Sequence, residues 1–255
     1  MQRVIVLGAS NVTLGFPLIV EGLRQAFDDP VQLFAAHGHG RSYGLRSRVL
    51  VRRLPAIREC GLWDAIAQQP PTQGRPLALL TDVGNDLLFG VNPDVLLSWV
   101  EQCLVRLREM NASTTIVTLP LERILRLSAA RYHATRMVFF PGPGRDWPTM
   151  RQMTIDVDAG LRELAERFQS QLVSPRGEWY GFDPIHVLRR LRPVAWSEYL
   201  SAWPEVEKVN VTARSTRQSL PWWRLAPAER DLWGSTRFSR QPAWTHESGS
   251  SVWLF

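Results

Sequence analysis

The sequence has few of the residues that stabilise small secreted proteins or anchor a chain in a membrane. It contains only two cysteines, Cys60 and Cys103, which do not make a disulfide framework. No apolar run approaches the ~20 residues of a transmembrane helix, and the first run, Val4–Leu7, is too short for a signal peptide. We therefore predict a cytoplasmic protein without a membrane span.

Lysine is almost absent, since Lys208 is the only lysine among 30 basic residues. With 24 acidic residues the formal net charge is +6, yet the arginines are dispersed along the chain. Their densest groups, at 46–58 and 189–192, are predicted to lie on solvated faces of helices. A nucleic-acid partner is therefore not expected.

Histidine is also scarce, and its distribution predicts no metal site. His37, His39 and His186 lack a nearby set of carboxylates or cysteines that would complete a metal-ligand group. We expect His37 and His39 to be structural or to lie beside a substrate. Neither a metal nor an organic cofactor is predicted.

The chain does contain enough apolar residues for a sizeable core, because hydrophobic residues make up 45% of its 255 positions. Several apolar runs are bounded by Gly, Pro or Asn and show no polar alternation. This pattern is typical of parallel strands covered on both faces. The predicted strands are Val4–Leu7, Val31–Ala36, Leu77–Thr81, Thr114–Leu119 and a weaker fifth, Gln171–Val173.

Helical patterns alternate with these strands. Apolar residues at helical spacing predict helices at Phe16–Phe27, Leu45–Ile57, Val95–Met110 and Thr149–Phe168. The alternation predicts an α/β fold with a doubly wound parallel sheet. Because ligands bind at the carboxyl ends of the strands in such sheets, residues that follow different strands can meet at one edge.

The composition changes after Ser197, where Trp, Pro, Arg and Ser become frequent. We predict an α/β domain over residues 1–197 and a C-terminal extension over residues 198–255. So much aromatic surface requires burial, so the extension is expected to pack on the domain or to form a homo-oligomer interface. Within it, Phe238–Pro242 and Ser251–Phe255 flank a turn signal and predict a β-hairpin.

Chemically useful residues follow the predicted strands. Ser10 comes after the first strand, Gly40 after the second and Asn85 after the third, while Asp183 and His186 come after the last. A serine needs a base to accept its proton, and an aspartate can orient a histidine that acts as this base. A side-chain amide can donate to an oxyanion without carrying charge. Together these residues supply the parts of an acyl-transfer site.

Each of these residues also has an ordinary structural interpretation. Ser10 or Asn11 could cap a helix after a strand-to-helix turn. Asp183 could cap a short helix beginning at Pro184, and Asp86 could cap the helix after the third strand. The combination, rather than any single residue, therefore favours a catalytic site.

A second candidate nucleophile is Ser42. The segment 40–44 matches the G-x-S-x-G nucleophile elbow of the α/β-hydrolases. Those enzymes take their acid and histidine from separate loops, whereas Asp183 and His186 are only three positions apart. Ser42 is therefore kept as the alternative to Ser10.

The order of these residues resembles that of the SGNH (GDSL-type) hydrolases over roughly residues 3–195. The resemblance is carried by Gly8–Asn11, Gly40, Gly84–Asp86 and Asp183–His186. It implies a flavodoxin-like three-layer α/β/α sandwich with about five parallel strands.

The resemblance also implies a role for each residue. Ser10 would be the nucleophile, His186 the general base and Asp183 the residue that orients this base. The oxyanion hole would combine the backbone N–H groups of Ser10 and Gly40 with the side chain of Asn85.

Three positions depart from the family pattern or leave it ambiguous. Ala9 stands where the family usually has Asp, and Val187 stands where it usually has Pro. The segment around Gly40 offers more than one glycine, and Gly38 is the second choice for the backbone donor.

By this resemblance the protein would cleave a carboxylic ester through an acyl-enzyme on Ser10. The substrate would be a small-molecule or carbohydrate ester with an acetyl or short acyl group. Two alternatives stay open. The departures at Ala9 and Val187 are compatible with an inactive or weakly active binding protein on the same fold, and transfer to another hydroxyl would make the protein an acyltransferase.

Overall fold

A computed structural model describes residues 1–49, 51–140, 144–212 and 222–255. The strands are β1 Gln2–Leu7, β2 Val31–Ala36, β3 Ser47–Val49, β4 Arg52–Leu54, β5 Leu77–Leu80, β6 Ser113–Val117, β7 Gln171–Val173, β8 Glu229–Leu232, β9 Ser235–Phe238, β10 Trp244–Thr245 and β11 Ser251–Leu254. The helices are α1 Ser10–Ala26, α2 Leu62–Ala67, α3 Asn85–Leu88, α4 Pro93–Glu109, α5 Leu121–Leu125, α6 Ala129–Phe139, α7 Trp147–Arg167 and α8 Arg192–Leu200.

The described strands form a mostly parallel central sheet in the order β10-β11-β2-β1-β5-β6-β7. The five strands that the sequence predicts are all present and pair in parallel. The sheet is wider than predicted because β11 adds in parallel beside β2 and β10 pairs antiparallel with β11. Part of the predicted C-terminal extension is thus hydrogen-bonded into the sheet.

Helices cover the central sheet on both faces. In β1, Val4 and Val6 contribute to the core shared with α1 and α8, whereas Ile5 and Leu7 contribute to the core shared with α2, α4 and α7. All four of these side chains are fully buried. The predicted three-layer α/β/α fold class is confirmed. No helix in the described parts of the chain is both long and apolar enough to cross a membrane.

The prediction of a helix at Leu45–Ile57 is wrong. This segment forms β3 and β4, which join β8 and β9 in a second, antiparallel sheet of order β3-β4-β8-β9. The basic group at 46–58 therefore lies largely on strands rather than on a helix face. The strand form is favoured by pairing with β8, far away in sequence, and Arg46 there forms ion pairs with Glu229 and Asp231.

The predicted C-terminal hairpin is half right. Its second strand is present as β11, but the partner is Trp244–Thr245 and not Phe238–Pro242. Phe238 instead ends β9 in the second sheet, where it pairs with Glu229. Local turn signals located the reversal of the chain, but Phe238 is already paired in the tight hairpin of β8 with β9 and is not available to β11.

The packing of α1 on α8 fixes the relative position of the segments that carry Ser10 and His186. Gly15, in the middle of α1, lies against the indole ring of Trp196 in α8, and Trp196 is 1% exposed. A side chain at position 15 would hold the two helices apart. Because Ser10 begins α1 and His186 lies shortly before α8, this contact sets the distance between the two segments.

We expect Gly15→Ala to lower the free energy of unfolding by about 1–3 kcal/mol, the usual effect of overpacking a core. The new Cβ would lie 1.8 Å from Trp196 Nε1. Urea unfolding measures the change. Gly61→Ala is the control, because its Cβ would lie 3.8 Å from its nearest neighbour, Phe255. Equal stabilities of Gly15→Ala and Gly61→Ala would contradict the close contact of α1 and α8.

Candidate active site

A serine, a histidine and an aspartate form a hydrogen-bonded chain at the carboxyl end of β1. Ser10 is the first residue of α1 and is 4% exposed. His186 Nε2 lies 2.9 Å from Ser10 Oγ, and His186 Nδ1 lies 2.6 Å from Asp183 Oδ2. The structure thus brings together three of the residues that the sequence predicts to share a site.

The Asp183 carboxylate fixes the orientation of the histidine. Its Oδ1 accepts hydrogen bonds from the backbone N–H groups of Ile185 and His186. Burial raises the pKa of Asp183, but the bond to the His186 ring, the charge of that ring and these N–H groups outweigh burial and lower the pKa overall. An ionised Asp183 assigns the ring proton to Nδ1, which leaves Nε2 as the acceptor facing Ser10.

The side chain of Asn11 joins the serine turn to the histidine loop. Asn11 Nδ2 donates to the Ile185 carbonyl oxygen at 2.9 Å, and Asn11 Oδ1 accepts from the Val187 N–H at 3.0 Å. These two bonds flank His186 on both sides. The sequence offered Asn11 only as a possible helix cap, and it gave no signal for a contact with a loop 174 residues away.

Asp82 holds the serine turn from the loop after β5. Its carboxylate accepts from the backbone N–H of Ala9 at 2.8 Å, from that of Asn11 at 3.0 Å and from Asn11 Nδ2 at 2.8 Å. A carboxylate at a helix N-terminus is favoured by the helix dipole. Asp82 has a φ of 60°, a left-handed conformation that Asp tolerates better than most residues. Sequence reasoning missed this residue, although its place directly after a strand was a usable signal.

Two of the three candidate oxyanion donors, Asn85 and the backbone N–H of Ser10, have no hydrogen-bond acceptor among the described residues. Asn85 is 4% exposed, and its Nδ2 has no hydrogen-bond partner among the described residues. The backbone N–H groups of Ala9 and Asn11 donate to Asp82. The backbone N–H of Ser10, which lies between them, has no acceptor in the described chain. A buried amide without a partner costs about 1–3 kcal/mol, so the orientation of Asn85 requires a reason.

The structure places Gly40 in the loop after β2 with a φ of 61°, a left-handed conformation that favours glycine. A Cβ there would also lie 2.5 Å from the Val49 side chain. Gly38, the second choice, lies under Leu54 and accepts from the Arg41 N–H. The donor role of Gly40 stays a prediction.

Ser42 has a structural environment that does not activate it. It is fully buried, its hydroxyl donates to Asp86, and its oxygen accepts from the N–H groups of Gly44 and Leu45. Burial raises the pKa of Asp86 to about 6. Asp86 therefore holds the loop that contains Ser42 and does not cap α3 through its side chain.

His37 is held beside the site in its neutral form. Its Nδ1 lies 2.9 Å from Thr13 Oγ1, and its ring stacks on Phe16 at 4.7 Å between centroids. Burial, followed by the charges of Arg41 and Arg52, lowers the pKa of His37 to about 3. Within the described part of the chain, no group of His, Cys, Asp and Glu side chains is placed to hold a metal ion.

An apolar cavity of about 100 Å³ opens beside the site. Asn11, Asn85 and Ile185 belong to its wall, so it begins next to the serine turn and the candidate oxyanion donor. An apolar cavity of about 150 Å³ in another protein binds benzene, so this one accommodates a small apolar group. Its further lining is mainly apolar and includes Leu88, Val117, Leu119, Ile124, Leu127 and Met150.

Comparisons with known proteins found similar structures but no similar sequences. No protein-family model and no curated protein matches the chain. The esterase EstA from Pseudoalteromonas sp., in a structure inhibited by monoethylphosphonate, is 13% identical, with 79% of this chain and 96% of that chain covered and a TM-score of 0.48. TesA is 15% identical, with 76% and 94% covered and a TM-score of 0.46.

AlinE4, described as an SGNH-hydrolase family esterase, is 16% identical, with 68% of this chain and 76% of that chain covered and a TM-score of 0.40. Because all three identities and TM-scores are low, the similarities carry no argument about activity. The function proposed below rests on the geometry of the site.

We expect Asp82→Asn to slow the reaction of Ser10 with a fluorophosphonate, a probe of activated serines, by about 10²-fold. The amide replaces one acceptor oxygen by a donor, so the turn shifts, and a shift of ~1 Å in a reacting group has an effect of this size. Stability should also fall by about 1–3 kcal/mol, because a buried N–H loses its acceptor. Asp64→Asn, at an exposed position in α2, is the control, and labelling of Asp82→Asn at the parental rate would refute the positioning role.

Proposed function

We propose that the protein is a serine hydrolase that cleaves carboxylic esters. The observation that carries the proposal is the hydrogen-bonded chain from Asp183 through His186 to Ser10. A serine hydroxyl becomes a nucleophile when a neighbouring base accepts its proton, and an oriented neutral histidine is the usual base.

In the proposed reaction Ser10 Oγ attacks the ester carbonyl carbon while His186 Nε2 accepts the hydroxyl proton. Asp183 stabilises the imidazolium that forms. His186 then donates this proton to the leaving alkoxide as the bond between the carbonyl carbon and this oxygen breaks. A water molecule, activated by His186, hydrolyses the acyl-enzyme, releases the acid and restores Ser10.

The tetrahedral intermediate carries a negative charge on the former carbonyl oxygen. We propose that Asn85 Nδ2 and the backbone N–H groups of Ser10 and Gly40 donate to it. The support for Asn85 is that its buried amide has no partner among the described residues. An unbonded donor is ready for the oxyanion and requires no rearrangement when the charge develops.

We further propose that the acyl group of the substrate occupies the apolar cavity. The cavity begins at Asn85, so an acyl chain bonded to the carbonyl carbon can enter it while the carbonyl oxygen faces the amide. Its volume of about 100 Å³ favours acetyl and other short acyl groups over long chains.

We expect Ser10→Ala to lower kcat for 4-nitrophenyl acetate by several orders of magnitude, on the order of the 10⁶ lost when a serine protease loses its catalytic serine. Its thermal unfolding should be unchanged. Ser98→Ala, at an exposed position in α4, should retain full activity. A fluorophosphonate should label the parent protein and Ser98→Ala but not Ser10→Ala.

Other outcomes would change the proposal in defined ways. A parent protein that neither turns over esters nor reacts with the fluorophosphonate would favour a binding protein on this fold. If the acyl group is transferred to an added alcohol rather than to water, so that a new ester forms in place of the acid, the result would favour an acyltransferase. Loss of labelling in Ser42→Ala with labelling retained in Ser10→Ala would move the nucleophile to Ser42.

We expect Asn85→Ala to lower kcat by about 10²–10³-fold with a small change in KM, because the lost donor acts mainly on the transition state. Asn92→Ala is the control, since Asn92 is exposed before α4. Parallel initial-rate measurements of the three proteins give the comparison. A KM effect without a kcat effect in Asn85→Ala would contradict the oxyanion role.

A further inference from the structure

The second sheet lies over the loop that follows β2. Val49 and Leu54 face this loop, because side chains at Gly40 and Gly38 would collide with them. Arg52 lies opposite Val49 across the pairing of β3 with β4, and its guanidinium lies next to Gly38. The face of the second sheet that carries these three residues is its inner face.

Two further arginines belong to this inner face. Strand alternation and the register of β4 with β8 place Arg230 on the same side as Arg52, and Arg237 lies directly opposite Arg230 on β9. Like charges opposite each other destabilise a sheet. Among the described residues, no carboxylate forms an ion pair with Arg52, Arg230 or Arg237, and Arg230 Nε is buried without a partner.

The opposite, outer face of the same sheet carries carboxylates as well as arginines, among them Arg48 opposite Arg53. Arg46 is ion-paired with both Glu229 and Asp231, and Arg53 lies across from Asp231. The acidic residues of β8 thus all lie on the outer face. The inner face of the described strands thus carries arginines without a carboxylate, whereas the outer face carries both.

A fourth cation approaches from the other side of the site. Arg192, at the start of α8, donates from Nε to the Val187 carbonyl oxygen, directly after His186. Burial, followed by the charge of Arg189, lowers the pKa of Arg192. Burial, followed by the charge of Arg230, likewise lowers the pKa of Arg52. Within the described ranges, neither guanidinium forms an ion pair with a carboxylate.

His39, in the loop after β2, is affected by the charges of both groups of cations. Partial burial, followed by the charges of Arg52, His186 and Arg192, lowers the pKa of His39. His39 directly follows Gly38, next to which the Arg52 guanidinium lies, and Arg192 is bonded to the residue after His186. Arg52 lies beside the loop after β2, whereas the apolar cavity is lined by residues at the ends of β5 and β6.

We propose that Arg52, Arg230 and Arg192 form a binding rim for an anionic group, a carboxylate or phosphate, on the alcohol part of the ester substrate. The proposal rests on the proposed ester hydrolase function. Guanidinium groups bind planar or tetrahedral oxyanions through several N–H donors at once. An anion here neutralises cations that the described chain leaves unpaired.

The alcohol part of the ester is assigned to the rim because the acyl part is proposed to occupy the apolar cavity. A charged group in the apolar cavity would lose its hydration without gaining a partner, which is strongly unfavourable. The leaving alcohol extends from the carbonyl carbon away from the acyl chain. With the acyl chain in the cavity, the alcohol points toward the β2 side of the sheet and the arginines.

The test compares 4-acetoxybenzoate with 4-acetoxybenzamide, which differ in the charge of the leaving group and little in shape. We expect kcat/KM for the parent protein to be at least about tenfold higher for the anionic ester, because hydrogen bonds between charged groups are the strong ones. Arg52→Gln should abolish most of this preference. Arg53→Gln, which removes the same charge from the outer face of the same strand, should retain it.

Several outcomes would overturn the inference. These are equal kcat/KM values for the two esters in the parent protein, an equal loss of preference in Arg53→Gln, or a larger anion effect with 4-nitrophenyl hemisuccinate, whose charge lies on the acyl side. Hydrolysis of 4-nitrophenyl acetate separates the two proposals. If 4-nitrophenyl acetate is cleaved but 4-acetoxybenzoate is not preferred over 4-acetoxybenzamide, the hydrolase proposal is supported and the proposed anion-binding rim is refuted. If no ester is cleaved, both proposals are refuted.

Discussion

The candidate site depends on one carboxylate outside the hydrogen-bonded chain of Ser10, His186 and Asp183. Asp82 accepts from the N–H groups on either side of Ser10 and so fixes the start of α1 against the loop after β5. Through Asn11 the same contact continues to the loop that carries His186. The turn at Ser10, the loop after β5 and the loop that carries His186 are therefore one hydrogen-bonded unit. Its bonds from backbone N–H groups to the Asp82 carboxylate are charge-assisted and thus stronger than neutral ones.

The two departures from the family pattern have a physical account in this unit. At the serine turn, where Ala9 has no carboxylate, Asp82 in the loop after β5 supplies one. With Val187 in place of Pro, the backbone N–H that a proline lacks is available and donates to Asn11. Both departures thus coincide with contacts that hold Ser10 and His186 in place.

The features that could be predicted from the sequence are those that depend on a local pattern of residues. The parallel strands follow from unbroken apolar runs, and Ser10, Asp183 and His186 follow from their positions after strands. Asp82 and Asn11 were missed as partners because the sequence does not show which of the polar residues after separate strands hydrogen-bond to each other. The helix expected around Arg52 failed for the same reason, since pairing with β8 outweighs a weak local helical pattern. The charge asymmetry of the second sheet emerges only from strand register.

The position of β11 has a consequence for how the molecule folds. Ser250, just before β11, bonds to Val31 at the start of β2 across 219 residues of chain, so this side of the sheet closes only after nearly all of the described chain is available. Contacts of such sequence separation slow folding. Until β11 arrives, β2 presents an open, apolar edge of the kind that promotes aggregation. The aromatic C-terminal segment therefore acts as the cover of an exposed strand as well as a packing layer.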